Sequence, residues 1–139
     1  MNRGKYLENQ IEKLIDHVIA NGYWGQKNHE RRTASGVYLE GEPFDYYIMT
    51  DKVKWAFDAK ECKGPRWPVK DKEIRQTNNL LHLKKCGFEA FFLVLFAPTN
   101  LVRFEAETVA AVLTEGRRSL RPEEGKPFDY KEVLKNAAD

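Results

Sequence analysis

The sequence lacks several features that mark secreted, membrane and zinc-binding proteins. It has only two cysteines, Cys62 and Cys86, without the spacing of a metal site, and its three histidines are scattered. The longest apolar run, residues 90–97, has the length of a strand and not the ~20 residues of a membrane span. The opening residues contain no apolar stretch of the kind found in secretory signals. We therefore expect reduced thiols and a cytoplasmic location in a bacterial or phage-infected cell.

The composition is that of an ordinary globular protein, with 42% hydrophobic and 32% charged residues. A chain of 139 residues has the length of one compact domain, and we expect residues 1–139 to form it, with a basic tail from about residue 115. The net charge of +2 indicates little about partners. Lysines and arginines nevertheless cluster near residues 27–32, 60–75 and 117–121. Such clusters suit a phosphate backbone, and the alternative is a solvated charged surface.

The hydrophobic pattern predicts an α/β protein. Apolar residues at helical spacing indicate helices over residues 5–20, from about 74 to 86, and over 106–113. Runs rich in β-forming residues indicate strands at residues 37–39, 44–49, 53–59, 90–96 and 101–104. The polar stretch 25–36 is predicted to be a loop, and the first three strands to form an antiparallel unit. The order α-β-β-β-α-β predicts a central mixed β-sheet flanked by helices.

Charged residues stand at the end of one predicted core strand, WAFDAKEC at 55–62. Strand alternation puts Asp58 and Lys60 on one face and Glu61 on the other, while Asp45 falls across the hairpin from Asp58. Two carboxylates, completed by a backbone carbonyl or by Glu61, are hard oxygen ligands of the kind that Mg²⁺ prefers, and an adjacent ammonium attracts phosphate. The pattern predicts a phosphodiester hydrolysis site, and the alternative is a surface ion pair at a sheet edge.

The order of these motifs resembles the PD-(D/E)xK nuclease superfamily, and within it the RecU-like and archaeal-type Holliday junction resolvases. NRGKYLE at 2–8 resembles the amino-terminal signature of RecU-like proteins, and FDAKEC at 57–62 resembles their FEAKET strand. IRQTNNLLHLKKCG at 74–87 is similar to their helix that carries an active-site Gln, and GRRSL at 116–120 to a basic segment near their carboxyl terminus. The resemblance covers most of the chain and implies a restriction-endonuclease-like core.

The resemblance implies a role for each residue of the motif. Asp45 and Asp58 would be metal ligands, with the Ala59 carbonyl as a third ligand. Lys60 would position or activate the attacking water. The implied metal is Mg²⁺, with Mn²⁺ as a substitute.

Two helical residues complete the implied catalytic set. Glu8 on the first helix would be a further metal ligand, directly or through water, and Gln76 would hydrogen-bond the site or the scissile phosphate. For both, an ordinary exposed helix residue is the alternative. Trp67, between two prolines, is predicted to be either a DNA contact or a lid over the sheet. The implied DNA-binding residues are Arg3, Arg31, Arg32, Thr33, Ser35, Lys63, Arg66, Trp67, Arg75, Arg117 and Arg118.

The resemblance implies a structure-selective endonuclease that resolves four-way DNA junctions by paired hydrolysis, works as a homodimer and leaves 5′-phosphates. The short chain suits a phage-encoded protein. RecU proteins carry a long stalk before the metal strand, whereas only residues 23–42 are available here, and Asp58 stands where they usually have Glu. Two alternatives stay open: a nuclease that acts on other branched or duplex DNA, and a noncatalytic DNA-binding module of the same fold.

Overall fold

The computed structural model describes residues 3–28, 34 and 44–129. The helices in these residues are α1 (Arg3–Ala20), α2 (Asp71–Lys85), α3 (Ala106–Thr114) and the 3₁₀ helix Pro122–Glu124. The strands are β1 (Trp24–Lys27), β2 (Tyr46–Met49), β3 (Lys54–Cys62), β4 (Trp67–Pro68), β5 (Glu89–Phe96), β6 (Asn100–Glu105), β7 (Ser119–Leu120) and β8 (Lys126–Pro127). None of the helices in the described part of the chain is long and apolar enough to cross a membrane.

Six strands form one sheet in the order β1-β2-β3-β5-β6-β8, and β4 pairs with β7 in a separate ribbon. In the large sheet β3 and β5 run parallel, whereas the other neighbouring strands are antiparallel. Helix α2 connects β3 to β5, because two parallel strands require a crossover connection. The predicted α/β class, a central mixed sheet flanked by helices, is confirmed.

Two apolar layers hold the helices against this sheet. Helix α1 packs on one face, where Ile11 and Val18 belong to the same buried cluster as Tyr46 and Phe57. Helices α2 and α3 pack on the other face. Residues 90–96 of β5 are buried at every position, which confirms the prediction that this apolar strand is covered on both faces.

The prediction of a loop over residues 25–36 was wrong at its start, where β1 pairs with β2. The signal was weak because Gly25 is the only buried residue of this edge strand, and an ideal Cβ at Gly25 would lie 3.1 Å from the Ile15 side chain. The antiparallel unit therefore consists of β1, β2 and β3. The run 37–39, expected to supply its first strand, lies outside the described residues.

The segment expected as a basic tail is packed onto the fold as far as residue 129. Strand β7 pairs with β4, strand β8 joins the edge of the large sheet, and Leu120 is fully buried. Gly125 allows this close approach, because an ideal Cβ there would lie 2.5 Å from Val102. The sequence also predicts a short final helix capped by Asp129, and the residues that would form it lie outside the described part of the chain.

Candidate active site

Strand β2 pairs with only the first four residues of β3, so the remaining residues of β3 have an unpaired edge on that side. Tyr46 is the first residue of β2 and pairs with Phe57, so Asp45 lies opposite Asp58. Beyond this point the Asp45 carboxylate replaces a β2 backbone carbonyl as hydrogen-bond acceptor, because its Oδ2 accepts a hydrogen bond from the Ala59 N–H at 3.1 Å. The N–H and C=O of one strand residue point to the same side, so the Ala59 carbonyl also faces this edge.

Asp58 is fully buried on the face that α2 covers. Its Oδ1 accepts a hydrogen bond from Gln76 Nε2 at 3.0 Å, and its Oδ2 lies 3.0 Å from Lys60 Nζ. Asp58 Oδ2 receives no hydrogen bond of good geometry, and the buried Gln76 Oε1 has no partner either. Two oxygen atoms in the same pocket are therefore left with unused acceptor capacity, although buried polar atoms in proteins are normally satisfied.

The pKa values of two buried side chains in this pocket, Asp58 and Lys60, are both raised. Burial raises the pKa of Asp58 to about 8, the negative charge of Asp45 raises it further, and Lys60 opposes both effects. Burial lowers the pKa of Lys60, but the charges and hydrogen bonds of Asp58 and Glu73 outweigh it and raise this pKa overall. The site thus holds the Lys60 ammonium beside a buried carboxyl group that binds its proton more tightly than usual.

Glu73 is a residue of this cluster that the sequence analysis missed. It lies in the first turn of α2, is 8% exposed, and places its Oε2 3.2 Å from Lys60 Nζ. The predicted helix began at about residue 74 and therefore left Glu73 outside it, whereas the observed helix begins at Asp71. On the observed helix, the three-residue spacing puts Glu73 and Gln76 on one face. The spacing does not specify which strand that face meets.

The residues present fit a hard divalent cation. Asp45, Asp58 and the Ala59 carbonyl are oxygen donors, and Asp58 Oδ2 is a buried acceptor without a hydrogen-bond partner. Among the described residues, no group of three or more His, Cys, Asp or Glu side chains is arranged to hold a metal. Mg²⁺ tolerates so few protein ligands because it usually keeps several waters.

Glu8 lies on α1, at the opposite face of the sheet from α2. Its carboxylate forms an ion pair of 3.7 Å with Lys27 and no direct contact with Asp58 is recorded among the described residues. Between the two acids lies Tyr46, whose buried hydroxyl has no hydrogen-bond partner and whose pKa responds to the charges of both. Burial raises the pKa of Tyr46, and the charges of Asp45, Glu8 and Asp58 add to this effect.

Glu61 lies on the face that strand alternation predicts for it, away from Asp58 and Lys60. Its Oε2 accepts a hydrogen bond from the Leu7 N–H of α1 at 3.2 Å. Glu61 therefore contacts α1, whereas its neighbours on the strand contact α2.

The model of the RecU family, described as Recombination protein U, matches residues 2–137. The chain belongs to the RecU family. The resemblance noted in the sequence is thereby confirmed. No curated protein matches the chain.

The solved structures show the same fold as this RecU family member. One is Hjc from Archaeoglobus fulgidus, described as a Holliday junction resolvase from an archaeal hyperthermophile. It matches with a TM-score of 0.56 at 16% identity, over 89% of this chain and 96% of that chain. A likeness at this identity shows the fold alone, and it confirms the expected restriction-endonuclease-like architecture.

A groove of about 470 Å³ opens beside the acidic cluster of this RecU fold. Four cationic residues and the two carboxylates Glu61 and Glu73 line this groove, which we call the basic groove; the cationic residues are Lys60, Lys63, Arg66 and Lys70. Lys63, Arg66 and Lys70 are exposed, and Lys60 joins the groove to Asp58. The groove therefore leads from solvent to the carboxylates.

Trp67 contradicts one of its two predicted roles. It is 3% exposed, and its ring packs 4.9 Å from that of Phe92 and 5.6 Å from that of Phe104. Trp67 thus covers the sheet beneath the basic groove and is not a DNA contact, because no face of its ring is available for stacking.

The structure places the other predicted DNA contacts unevenly. Arg75 and Arg118 are exposed, whereas Arg117 is paired with Glu115 and Glu124. Arg3 begins α1, and its side chain is not among those described. The predicted contacts outside the described residues are Arg31, Arg32, Thr33 and Ser35.

Proposed function

We propose that this RecU family chain is a Mg²⁺-dependent endonuclease that resolves four-way DNA junctions. The observation that carries the proposal is the convergence of Asp45, Asp58 and Lys60 at the open edge of β3, where the basic groove begins. Two carboxylates and an ammonium beside a cationic groove suit phosphodiester hydrolysis, in which negative charge develops on a phosphate.

Asp45, Asp58 and the Ala59 carbonyl would hold the Mg²⁺, or Mn²⁺ in its place. The bound metal supplies positive charge that polarises the phosphate and makes water a better nucleophile. Gln76 holds Asp58 through Oδ1, which leaves Oδ2 directed to Lys60 and the site. Glu8, whose carboxylate pairs with Lys27 at 3.7 Å, would complete the site as a further ligand or through water.

Lys60 is the residue that connects the carboxylates to the substrate. Its ammonium lies at the inner end of the basic groove, where it would neutralise a phosphate oxygen as charge builds up. A water oxygen would bond to phosphorus as the bond to the 3′ oxygen breaks. The products would be a 5′-phosphate and a 3′-hydroxyl.

Junction resolution requires two incisions at symmetric positions. The described residues of one chain contain one such cluster, so we infer a homodimer in which a two-fold axis relates two sites. Exposed cations of the basic groove, Lys63 and Arg66, would contact the backbone of the cut strand, and Arg75 and Arg118 the flanking arms.

A cleavage assay with three substrates tests this proposal. A synthetic four-way junction, a flap and a linear duplex of the same sequence are incubated with equal amounts of protein, with Mg²⁺ or with EDTA. We expect Mg²⁺-dependent cutting of the junction at paired positions and little cutting of the duplex. Cutting of the flap or duplex at the same rate would support a nuclease with another target, and no cutting of any substrate would contradict the proposal.

A noncatalytic DNA-binding module is the second candidate. The observation that favours it is that the described residues contain no group of three acidic, His or Cys side chains able to hold a metal. Calorimetric titration with Mg²⁺ and Mn²⁺ distinguishes the two candidates. We expect metal binding by the wild-type protein that Asp45→Ala abolishes, whereas equal or absent binding in both proteins would support the module.

A further inference from the structure

Glu73 shares the Lys60 ammonium with Asp58. Lys60 Nζ lies 3.0 Å from Asp58 Oδ2 and 3.2 Å from Glu73 Oε2. Both carboxylates are deeply buried, with 0% and 10% of their side chains exposed. Glu73 is thus a second counter-ion for Lys60, in addition to Asp58 and separate from the Asp45–Asp58 pair.

The pairing results from the opposite directions of β3 and α2, whose paired residues are separated by similar but unequal distances. Asp58 and Lys60 are two residues apart on β3, about 6.6 Å along the strand. Gln76 and Glu73 are three residues apart on α2, about 4.5 Å along the helix axis. Because α2 runs back along the sheet between parallel strands, Gln76 meets Asp58 and Glu73 meets Lys60.

Glu73 is itself held by the helix that carries it. Its Oε1 accepts a hydrogen bond from the backbone N–H of Lys70, the N-cap of α2, at 3.1 Å. A carboxylate with one oxygen fixed to the helix backbone presents the other oxygen at a defined place. Lys60, on a flexible stem of four methylenes, has no such restraint of its own.

The protein contains the same arrangement a second time, away from the carboxylate cluster. Glu124 Oε2 accepts a hydrogen bond from the Arg121 N–H at 2.7 Å, and its Oε1 pairs with Arg117. Glu124 thus caps a 3₁₀ helix and binds a cation, as Glu73 caps α2 and binds Lys60. A substitution at Glu124 removes the same two kinds of contact as one at Glu73, a helix-capping N–H and a cation, without touching Asp58 or Lys60.

We propose that Glu73 is a positioning residue that holds the Lys60 ammonium at the inner end of the basic groove while Asp58 engages the metal. The inference rests on the proposed nuclease function. A carboxylate shared with a metal attracts the ammonium less strongly, so Lys60 needs a second anchor to stay beside the phosphate. Glu73 provides this anchor and leaves Asp58 free to act as a ligand.

The test compares Glu73→Gln with Glu124→Gln, because glutamine keeps an acceptor for the capped N–H and removes only the charge. Single-turnover cleavage of the four-way junction is measured at saturating protein and Mg²⁺, with junction affinity in EDTA and melting temperature recorded for each variant. We expect Glu73→Gln to cleave about 10- to 100-fold more slowly, with junction affinity within about twofold of wild type. Glu124→Gln should cleave at close to the wild-type rate.

A double-mutant cycle tests whether Glu73 acts through Lys60. In a Lys60→Met background, adding Glu73→Gln should change the rate by less than about twofold. Glu73→Asp keeps the charge on a shorter side chain and should recover part of the rate. It also serves as the test variant if Glu73→Gln does not fold. Equal losses in both backgrounds, or a wild-type rate for Glu73→Gln, would overturn the inference.

A measurement without DNA separates this inference from the proposed function. With ¹⁵N-lysine, an ammonium held by two carboxylates should give a resolved ¹H–¹⁵N correlation, assigned to Lys60 by its loss in Lys60→Met. The signal should persist in Glu124→Gln and disappear in Glu73→Gln. If the wild-type protein cleaves no DNA, the proposed function fails, whereas an unchanged Lys60 signal in Glu73→Gln would show that Glu73 does not hold the ammonium.

Discussion

The two halves of β3 differ in what lies beside them. Residues 54–57 pair with β2, and from residue 55 they also pair with β5 on the other side; Trp55, Ala56 and Phe57 are buried apolar residues. Residues 58–62 keep only β5 as a paired neighbour, and their charged side chains follow at once. The first half is held in the core between two strands. The second half carries the proposed catalytic residues and has an unpaired edge where β2 no longer accompanies it.

Asp58 and Phe57 are equally buried, but different interactions compensate for their burial. Asp58 is as inaccessible as Phe57, so its pKa is raised, and only Gln76, Lys60 and the proposed metal compensate for its burial. Phe57, in contrast, is stabilised by stacking on Tyr46 and Phe91. Neighbouring residues of one strand thus contribute to stability and to function in opposite ways, and substitutions should separate the two.

The largest effect should come from Asp58→Asn, which removes a proposed metal ligand and keeps its shape. We expect Mg²⁺-dependent junction cleavage to fall by about 1000-fold or more, because the charge that would hold the metal is lost. Junction binding in EDTA should be retained. Cleavage assays and gel-shift measurements check the two parts, and intact cleavage by this variant would refute the assignment of the site.

Phe57→Ala should act on stability, since it empties the first half of β3. Phe57 is 1% exposed and stacks at 5.1 Å on Phe91. We expect the free energy of unfolding to fall by about 3–5 kcal/mol, measured by urea denaturation. Lys54→Ala, at the exposed start of the same strand, is the control and should cost less than about 1 kcal/mol. Similar losses in both variants would contradict the division of β3.

The pH dependence of stability should reveal the burial of Asp58 in metal-free protein. Its folded-state pKa of about 8 exceeds the ordinary value of 3.8, so the folded chain keeps a proton that the unfolded chain releases. Between these two pH values the wild-type protein therefore loses stability relative to Asp58→Asn as the pH rises. Above about pH 8 the difference should level off, on the order of a few kcal/mol in favour of the variant.

Thermal unfolding in EDTA from pH 4 to pH 9 checks this prediction. The advantage of Asp58→Asn should be smallest at the acid end. Added Mg²⁺ should stabilise the wild-type protein and not the variant, because a ligand that binds only the folded state raises its stability. A difference between the two proteins that does not change with pH would show that Asp58 is not protonated in the fold.

The smallest effect should come from Glu61→Ala, on the opposite face from Asp58. Loss of the hydrogen bond from the Leu7 N–H should lower the free energy of unfolding by about 1 kcal/mol. Cleavage should stay within about threefold of the wild-type rate, as for a substitution that only loosens packing against α1. A loss comparable to that of Asp58→Asn would mean that both faces of β3 take part in the chemistry.

Residues with a strong local signal were predicted well. The helix periodicity of α1, the continuous apolar run of β5 and the alternation of Asp58 with Glu61 all reappear in the structure. Residues whose environment depends on a distant segment were not. Gly25 gave no strand signal because a glycine is needed there to leave room for the Ile15 side chain. The role of Trp67 depends on its packing against Phe92 and Phe104, which are distant in the sequence.

The sequence by itself determined the three α-helices, the strands from β2 to β6 that carry a clear apolar signal, the family and the common face of Asp58 and Lys60, because local periodicity and motif spacing carry that information. Only the tertiary structure decided that Asp58 is completely buried, that Asp45 caps the open edge of β3 and that Glu73 reaches Lys60. The physical reason is that burial and ion pairing depend on which helix packs over a strand and in which register. That choice is made by the whole core and not by the residues concerned.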